Sequence, residues 1–469
     1  MSKTLLLVAL AFLAVWLGTP RDAQAVPAFA RQTGMNCNSC HIGTDNVPNF
    51  THTGRLFAMR GYTRPYVRER LRADGPLVDE PQYGGDYLAL NWTDYFSARF
   101  ISNIAQGGHA VDGTERDWTT RPLARLAMFY TGPITDWLGL WTELAYLGNN
   151  SMQSVTPGNE GPSGLNLFAF DEYRLAASWD IGTRSFFGVS FGNEHPNVVG
   201  QFNFPVYLPN MWGVGQGGVG RFMEIGTLSA HALLDRWWLQ VAATSGGDNV
   251  NLNDGWNQYL NVSYNLINRQ RNDLWLTGEI FRGNDFPSIT HSKKQSFICN
   301  DPAGCPAGIT DANLSITNTP GGQPIQGAPR ETVDDFFSYK VGIHQSVADM
   351  GPHSWVLGVV AHQMKQDFVS GAEVDRMDAG VTFRYFYRRT YGFDAYVRDS
   401  LWYEYTTAAG VERDVYSRPN YGITALWYPA MNFSVHLSYS FAQNYVFSDQ
   451  RHLYRGKGDN YALGFEYNF

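Results

Sequence analysis

The chain has 469 residues, a formal net charge of −8, 15% aromatic and 17% charged residues, 48 glycines and 4 cysteines. Its charged share lies below the ~25% of typical soluble domains, and the high aromatic content excludes a disordered chain, which is charge-rich and aromatic-poor. The cysteines are too few for a disulfide scaffold, and the negative balance speaks against a nucleic-acid partner, whose affinity rests on Lys and Arg at phosphates.

The N-terminus reads as an export signal. Lys3 precedes an apolar run from Leu5 to Leu17, and Ala23-Gln24-Ala25 supplies the small-residue cleavage pattern. Residues 1–25 are therefore expected to be a signal peptide. The run is shorter than the ~20 residues a spanning helix needs.

Cys37-Asn38-Ser39-Cys40-His41 follows. This is the C-x-x-C-H attachment pattern of a c-type heme. Two thiols at that spacing form thioethers to the two vinyl groups of one porphyrin. The adjoining His41 then lies under the iron as its proximal ligand. A zinc site would want two further Cys or His ligands at close spacing, and none follow. One covalent heme c is the expected cofactor. Met35, His52 and Met59 are nearby candidates for the sixth iron ligand, His52 and Met59 foremost among them, with a ligand from beyond the leader or an open position as the alternative, and 50–59 is expected to form one short helix. Between Val26 and Gly75 seven arginines face three acids. Arg31 and Arg55 are candidate partners of the heme propionates, because guanidinium meets carboxylate in a bidentate way. The heme segment is expected over 26–80.

From Gly84 onward the pattern is period-two alternation. Tyr461, Leu463, Phe465, Tyr467 and Phe469 share one face, and Ala462, Gly464 and Glu466 the other. The same holds for Met377 to Tyr385 and for Met431 to Phe441. Strands are expected at 87–101, 121–132, 138–148, 167–179, 184–193, 223–234, 236–246, 256–267, 273–283, 334–347, 353–366, 374–388, 391–406, 414–428, 431–446 and 459–469. Connections after even-numbered strands are short. Those after odd-numbered strands are mostly long, including 102–120 and 284–333. An even strand number, with short turns at one end and long loops at the other, is the plan of an outer-membrane barrel. The expected fold is thus mostly β: a 16-stranded antiparallel barrel over 84–469 with the small helical heme segment plugging its lumen. Lumen-facing His436, Asp378, Arg384 and Glu466 would lie near the heme, His436 as a possible ligand from the wall. Cys299 and Cys305, in the longest loop, are expected to form a local disulfide, as an oxidising compartment allows. Asp248 with Asp254, and Glu412 with Asp414, are carboxylate pairs of hard oxygen donors, suited to attracting a divalent cation at the outer mouth.

The run Pro27-Ala28-Phe29-Ala30-Arg31-Gln32-Thr33-Gly34, the Cys37–His41 motif, Pro48-x-Phe50, Gly54-Arg55-x-Phe57 and Gly61-Tyr62 together resemble the leader of the fused outer-membrane monoheme cytochrome c–porins of Fe(II)-oxidising bacteria. The match covers about 40 residues, and Ala58 stands where that family has Lys. The resemblance implies a barrel-enclosed heme that takes electrons from extracellular Fe(II) and passes them to a periplasmic carrier: a cytochrome c oxidoreductase in contact with outer-membrane lipid. The alternative is a diffusion or uptake porin whose heme-bearing plug acts as a gate. A third reading is a soluble periplasmic protein with a β-sandwich body.

Overall fold

In a computed structural model of the chain, the described residues are 28–29, 32, 39–42, 50–63, 95–109, 115–147, 169–182, 184–192, 227–244, 256–284, 294–299, 314–317, 331–368, 371, 373–406, 409–416, 420–430, 433–443, 446–447 and 457–468. The signal peptide, Arg31, Met35, Cys37, Asp248, Asp254, Cys305 and Phe469 lie outside them, as do the expected boundaries at 80 and 84.

One helix, α1 (His52–Met59), precedes sixteen long strands. These are β1 (Phe96–His109), β2 (Glu115–Pro133), β3 (Leu138–Leu147), β4 (Ala169–Gly182), β5 (Ser185–Gly192), β6 (Thr227–Leu234), β7 (Trp237–Thr244) and β8 (Asn257–Arg269). The second half comprises β9 (Asn272–Asn284), β10 (Glu331–Met350), β11 (His353–Phe368), β12 (Glu373–Tyr387), β13 (Tyr391–Thr406), β14 (Asn420–Ala430), β15 (Phe433–Gln443) and β16 (Lys457–Asn468). Each pairs antiparallel with its neighbours in sequence, and β1 pairs with both β2 and β16, which closes the sheet. Closure leaves no unpaired edge, the condition a bilayer imposes on backbone polar groups.

The alternation read from the sequence sorts the two faces. On β10, Val341 and Ile343 point outward at 53% and 42% exposure, while Ser338, Lys340, His344 and Ser346 are buried inside. On β12, Val381 and Tyr387 lie outside and Arg376, Asp378, Thr382 and Arg384 inside. The inner wall holds the charges in pairs. Arg99 meets Glu466 at 3.0 Å and Arg376 meets Asp378 at 3.1 Å. Lys340 meets Glu279 at 3.9 Å, and Arg384 is paired with Asp394.

Aromatics ring the outer face near the short turns: Trp137 stacks on Trp179 at 5.9 Å, Trp179 on Phe187 at 5.1 Å, and Trp237 contacts Tyr264 at 4.7 Å. Tyr421, Tyr439 and Tyr461 form a second group toward the other end. An apolar outer band between aromatic girdles is the surface of an outer-membrane barrel. Val341→Arg places a charge in that band. It should destabilise the folded barrel by about 2–4 kcal/mol, measured as a shift in the urea unfolding midpoint in lipid.

The short turns work by local chemistry. Arg388 and Arg389 both have positive φ, and Thr390 N–H donates to the Tyr387 carbonyl at 3.1 Å. That is the type I′ hairpin turn, whose twist matches the flanking strands. Arg389 is also paired with Asp349 of the adjoining turn.

Three boundaries differ from expectation. The segment 102–120, expected as a long connection, is largely strand: β1 runs to His109 and β2 begins at Glu115. Gln106-Gly107-Gly108 shows no alternation, yet it pairs on both sides, and a side chain at Gly107 would run into the Trp118 ring. The expected strand 414–428 is divided into a short strand, Glu412–Tyr416, and β14. Pro419, which has no N–H to give the ladder, separates them in sequence. The long segment 284–333 contains a hairpin, Lys294–Cys299 with Leu314–Thr317.

Candidate functional site

The leader residues lie against the inner wall at the short-turn end. α1 is built for that position. Thr51 caps its start, its hydroxyl accepting from Gly54 N–H at 3.2 Å. The helix ends in a Schellman arrangement. Gly61 N–H donates to Ala58 O and Tyr62 N–H to Phe57 O, both at 3.0 Å, with Gly61 in the left-handed region at φ 70°. The Phe57 and Tyr62 rings meet at 5.4 Å, supplying the hydrophobic contact of that motif. Gly61 also presses on β4 and β3. A Cβ on Gly61 would strike Ala176, and one on Gly139 would strike the Gly61 carbonyl.

A buried polar cluster pins α1 to the wall. Arg55, 1% exposed, donates to Asp273 at 2.8 Å, to His344 Nδ1 at 2.9 Å and to Ser346 at 3.1 Å. Asp273 also accepts from His52 Nδ1 at 3.2 Å and from Asn265 and Trp275, each at 2.8 Å. Burial pushes the Arg55 guanidinium below its ordinary pKa, and the Asp273 charge and hydrogen bond act against that. Arg60 is paired with Asp180 and lies over the Phe186 ring at 4.7 Å. Upstream, Gln32 donates to Thr131 O at 2.7 Å, and Phe29 stacks on Tyr62 at 5.0 Å and on Trp141 at 6.1 Å.

Cys40 and His41 sit against the start of α1. Thr51 N–H donates to Cys40 O at 2.9 Å, His41 bridges Phe50, and the His41 and Phe50 rings lie 5.2 Å apart. Ile42, next in the chain, is buried with Ala348, Val356, Phe386 and Tyr428. Gly54 permits this approach, because a Cβ there would fall on the Cys40 carbonyl. Glycine costs a helix about 1 kcal/mol relative to alanine, so its place in α1 is explained by contact and not by helix propensity. Gly54→Ala is therefore expected to weaken docking of this segment by about 1–3 kcal/mol, the cost of overpacking, despite alanine's better propensity. Protease susceptibility of 26–63 in the folded barrel measures it.

Cys40 and His41, the described members of the expected attachment motif, are a thiol and an imidazole on adjoining residues, the donor types a covalent heme uses. Cys40 and His41 are half-buried beside apolar and aromatic side chains on a docked segment, and the glycine leaves their backbone room. Of the other expected site residues, His52 is engaged through Nδ1 by Asp273, the kind of second partner that orients metal-binding imidazoles. Met59 is fully buried among Phe186, Leu233, Trp238, Trp275 and Val360. Arg55 is committed to Asp273. His436, Asp378, Arg384 and Glu466 all lie on the lumen-facing register, the last three in ion pairs. Cys299 ends its short strand. Glu412 is exposed, and its strand pairs with the end of β13.

The Asp273 cluster is the part of the site the sequence reading missed. Its two sides, His52 and Arg55 on α1 and the wall residues from Asn265 onward, lie more than 200 residues apart in the chain, so neither spacing nor period links them. The one available signal was an aspartate beginning a strand whose apolar pattern otherwise starts at Leu274.

No family model and no curated protein sequence matches the chain. Among solved structures it is similar to OmpT of Vibrio cholerae with loop L8 deleted, at 12% identity and a TM-score of 0.48, covering 80% of this chain and 98% of that one. It is also similar to OmpF of Salmonella typhi in complex with daunomycin, at 12% identity and 0.44, covering 80% and 97%. A third likeness is to the anion-selective porin of Comamonas acidovorans, at 10% identity and 0.42, covering 80% and 98%. The barrel assignment rests on the strand pairing of this chain and not on these likenesses.

Proposed function

We propose that the protein is an outer-membrane electron conduit: a single heme c, bound through Cys37, Cys40 and His41, is held in the barrel by the plug, takes electrons from extracellular Fe(II) and delivers them to a periplasmic carrier. The observation that carries this reading is the placement of Cys40 and His41 on a segment pinned inside a closed barrel. The heme would supply one-electron chemistry. The chain's own residues hold the segment against the inner wall, through Arg55 with Asp273 and through the buried Ile42. Fe(III) is poorly soluble near neutral pH, so moving the electron and not the iron across the membrane keeps the product outside.

The short-turn rim supports the delivery step. Arg236, Arg269 and Arg271 lie on adjoining turns and form no ion pair among the described residues. A cavity of about 280 Å³ lies beside Arg236 and Arg269, lined also by Leu266, Ile267, Asn268 and Asn272. A rim of unpaired cations favours a carrier with an acidic face by steering its approach.

Proteoliposomes test the proposal. With Fe(II) outside and an oxidised soluble cytochrome enclosed, the conduit reduces the enclosed protein while iron stays outside. If iron itself accumulates inside, the second reading, a porin with a heme-bearing plug, replaces the first.

A further inference from the structure

The cavity at the short-turn rim has two chemistries in its walls. It lies between adjoining turns, Asp235-Arg236 of the β6–β7 hairpin and Gln270-Arg271 of the β8–β9 hairpin. Arg236, Asn268, Arg269 and Asn272 form its polar side, and Leu266 and Ile267 its apolar side. No acid is among this described lining. Asp235, next to Arg236, is paired with Arg184 at 3.8 Å, and Asp273, next to Asn272, faces inward to Arg55 at 2.8 Å. The amides add donors. Asn272 Oδ1 accepts from Gln345 Nε2 at 3.3 Å, a bond that leaves the N–H groups of Asn272 for a ligand. Two cations and amide donors with no opposite charge beside them suit an anion.

The apolar side comes from a bulge. On β8, Asn265 pairs with Trp275, but the next paired residue is Ile267, with Leu274. Leu266 is the extra residue, and a bulge of this kind re-aims a side chain. Leu266 is 43% exposed on the outer face, two residues toward the turn from Tyr264, whose ring meets Trp237 at 4.7 Å. Girdle Trp and Tyr sit at the level of lipid headgroups. The cavity therefore joins the lipid-facing surface on one side and a cationic turn on the other. A soluble protein would reach the arginines without the girdle, and a free anion would use the polar side alone. Both sides together fit an amphiphile with an anionic head. At about 280 Å³ the cavity falls just under the ~300–1,000 Å³ of pockets that enclose a drug-sized ligand. It has room for a headgroup, with acyl chains left along the outer face.

We infer that this cavity binds the phosphate of an anionic glycerophospholipid of the periplasmic leaflet. Arg236 and Arg269 meet the phosphate, Asn268 and Asn272 donate to the headgroup, and the chains run over Leu266 and Trp237. Arg271 lies outside the lining and remains for the carrier. The test titrates the full-length protein in detergent with phosphatidylglycerol and counts retained lipid by native mass spectrometry. Diacylglycerol carries the chains without the phosphate, and inorganic phosphate the charge without the chains. The wild type should retain one phosphatidylglycerol where neither control binds. Each arginine near a lipid phosphate contributes about fivefold, so Arg236→Gln/Arg269→Gln should weaken retention about thirtyfold. Leu266→Asn should weaken it by a smaller factor. Heat-modifiable gel mobility shows that each variant is a folded barrel. Should the double variant fail to fold, Arg269→Gln decides, with about a fivefold loss expected. Equal retention by wild type and variant would overturn the inference, and so would diacylglycerol held as tightly as phosphatidylglycerol. Displacement of the lipid by equimolar inorganic phosphate would make this a free-anion site, and displacement by an acidic soluble cytochrome would make it a carrier contact; either overturns the lipid assignment.

Discussion

Asp273→Leu is expected to undock the plug. It removes the carboxylate that accepts from Arg55, His52, Asn265 and Trp275 in a site about 1% exposed. Breaking one partner of a buried pair costs about 3–5 kcal/mol, because the other charge stays buried and uncompensated. The barrel itself, held by sixteen paired strands, should persist. The effect therefore appears in the plug: faster proteolysis of residues 26–63 and a rise in ohmic conductance across planar bilayers. Arg55→Met should behave alike. The double variant Arg55→Met/Asp273→Leu should recover much of the loss, since an apolar pair of similar volume can replace a buried ion pair. Two single variants as tight and as silent as the wild type would show that the cluster does not hold the segment.

The second large effect concerns the attachment site. Cys37→Ser or His41→Ala should abolish redox activity. Serine forms no thioether, and the loss of His41 removes the iron's proximal ligand. The barrel should still fold and insert, because its closed sheet is built from strand pairings in which the leader takes no part. Measured together, heme staining on denaturing gels and Fe(II) oxidation separate the two parts of the claim. Either variant retaining Fe(II) oxidation would remove Cys37 and His41 from the proposed path.

Much of the barrel was legible because a two-sided wall writes itself as alternation. Met377 to Tyr385 and Tyr461 to Tyr467 show it plainly, and they face outward as read. The segment 102–109 was not legible. Gln106, Gly107 and Gly108 carry no apolar signal, and their strand state comes from partners on β2, such as Thr119 and Arg116, and on β16, more than 350 residues away. The site was legible in its local parts only. Thr51, Gly54, Gly61 and Tyr62 could be read as a short helix with a cap and a stop. The reason for Gly54, a close approach to Cys40, needs the fold. So does the choice of Arg55's partner: its guanidinium, expected at a propionate, is engaged by Asp273.

The most direct measurement is the visible spectrum of the purified, oxidised protein in detergent, before and after Fe(II) is added. The account predicts a c-type absorption that shifts to its reduced form on mixing with Fe(II), as fast as catalysis requires. A protein with no heme absorption, or one reduced by dithionite but not by Fe(II), would contradict it.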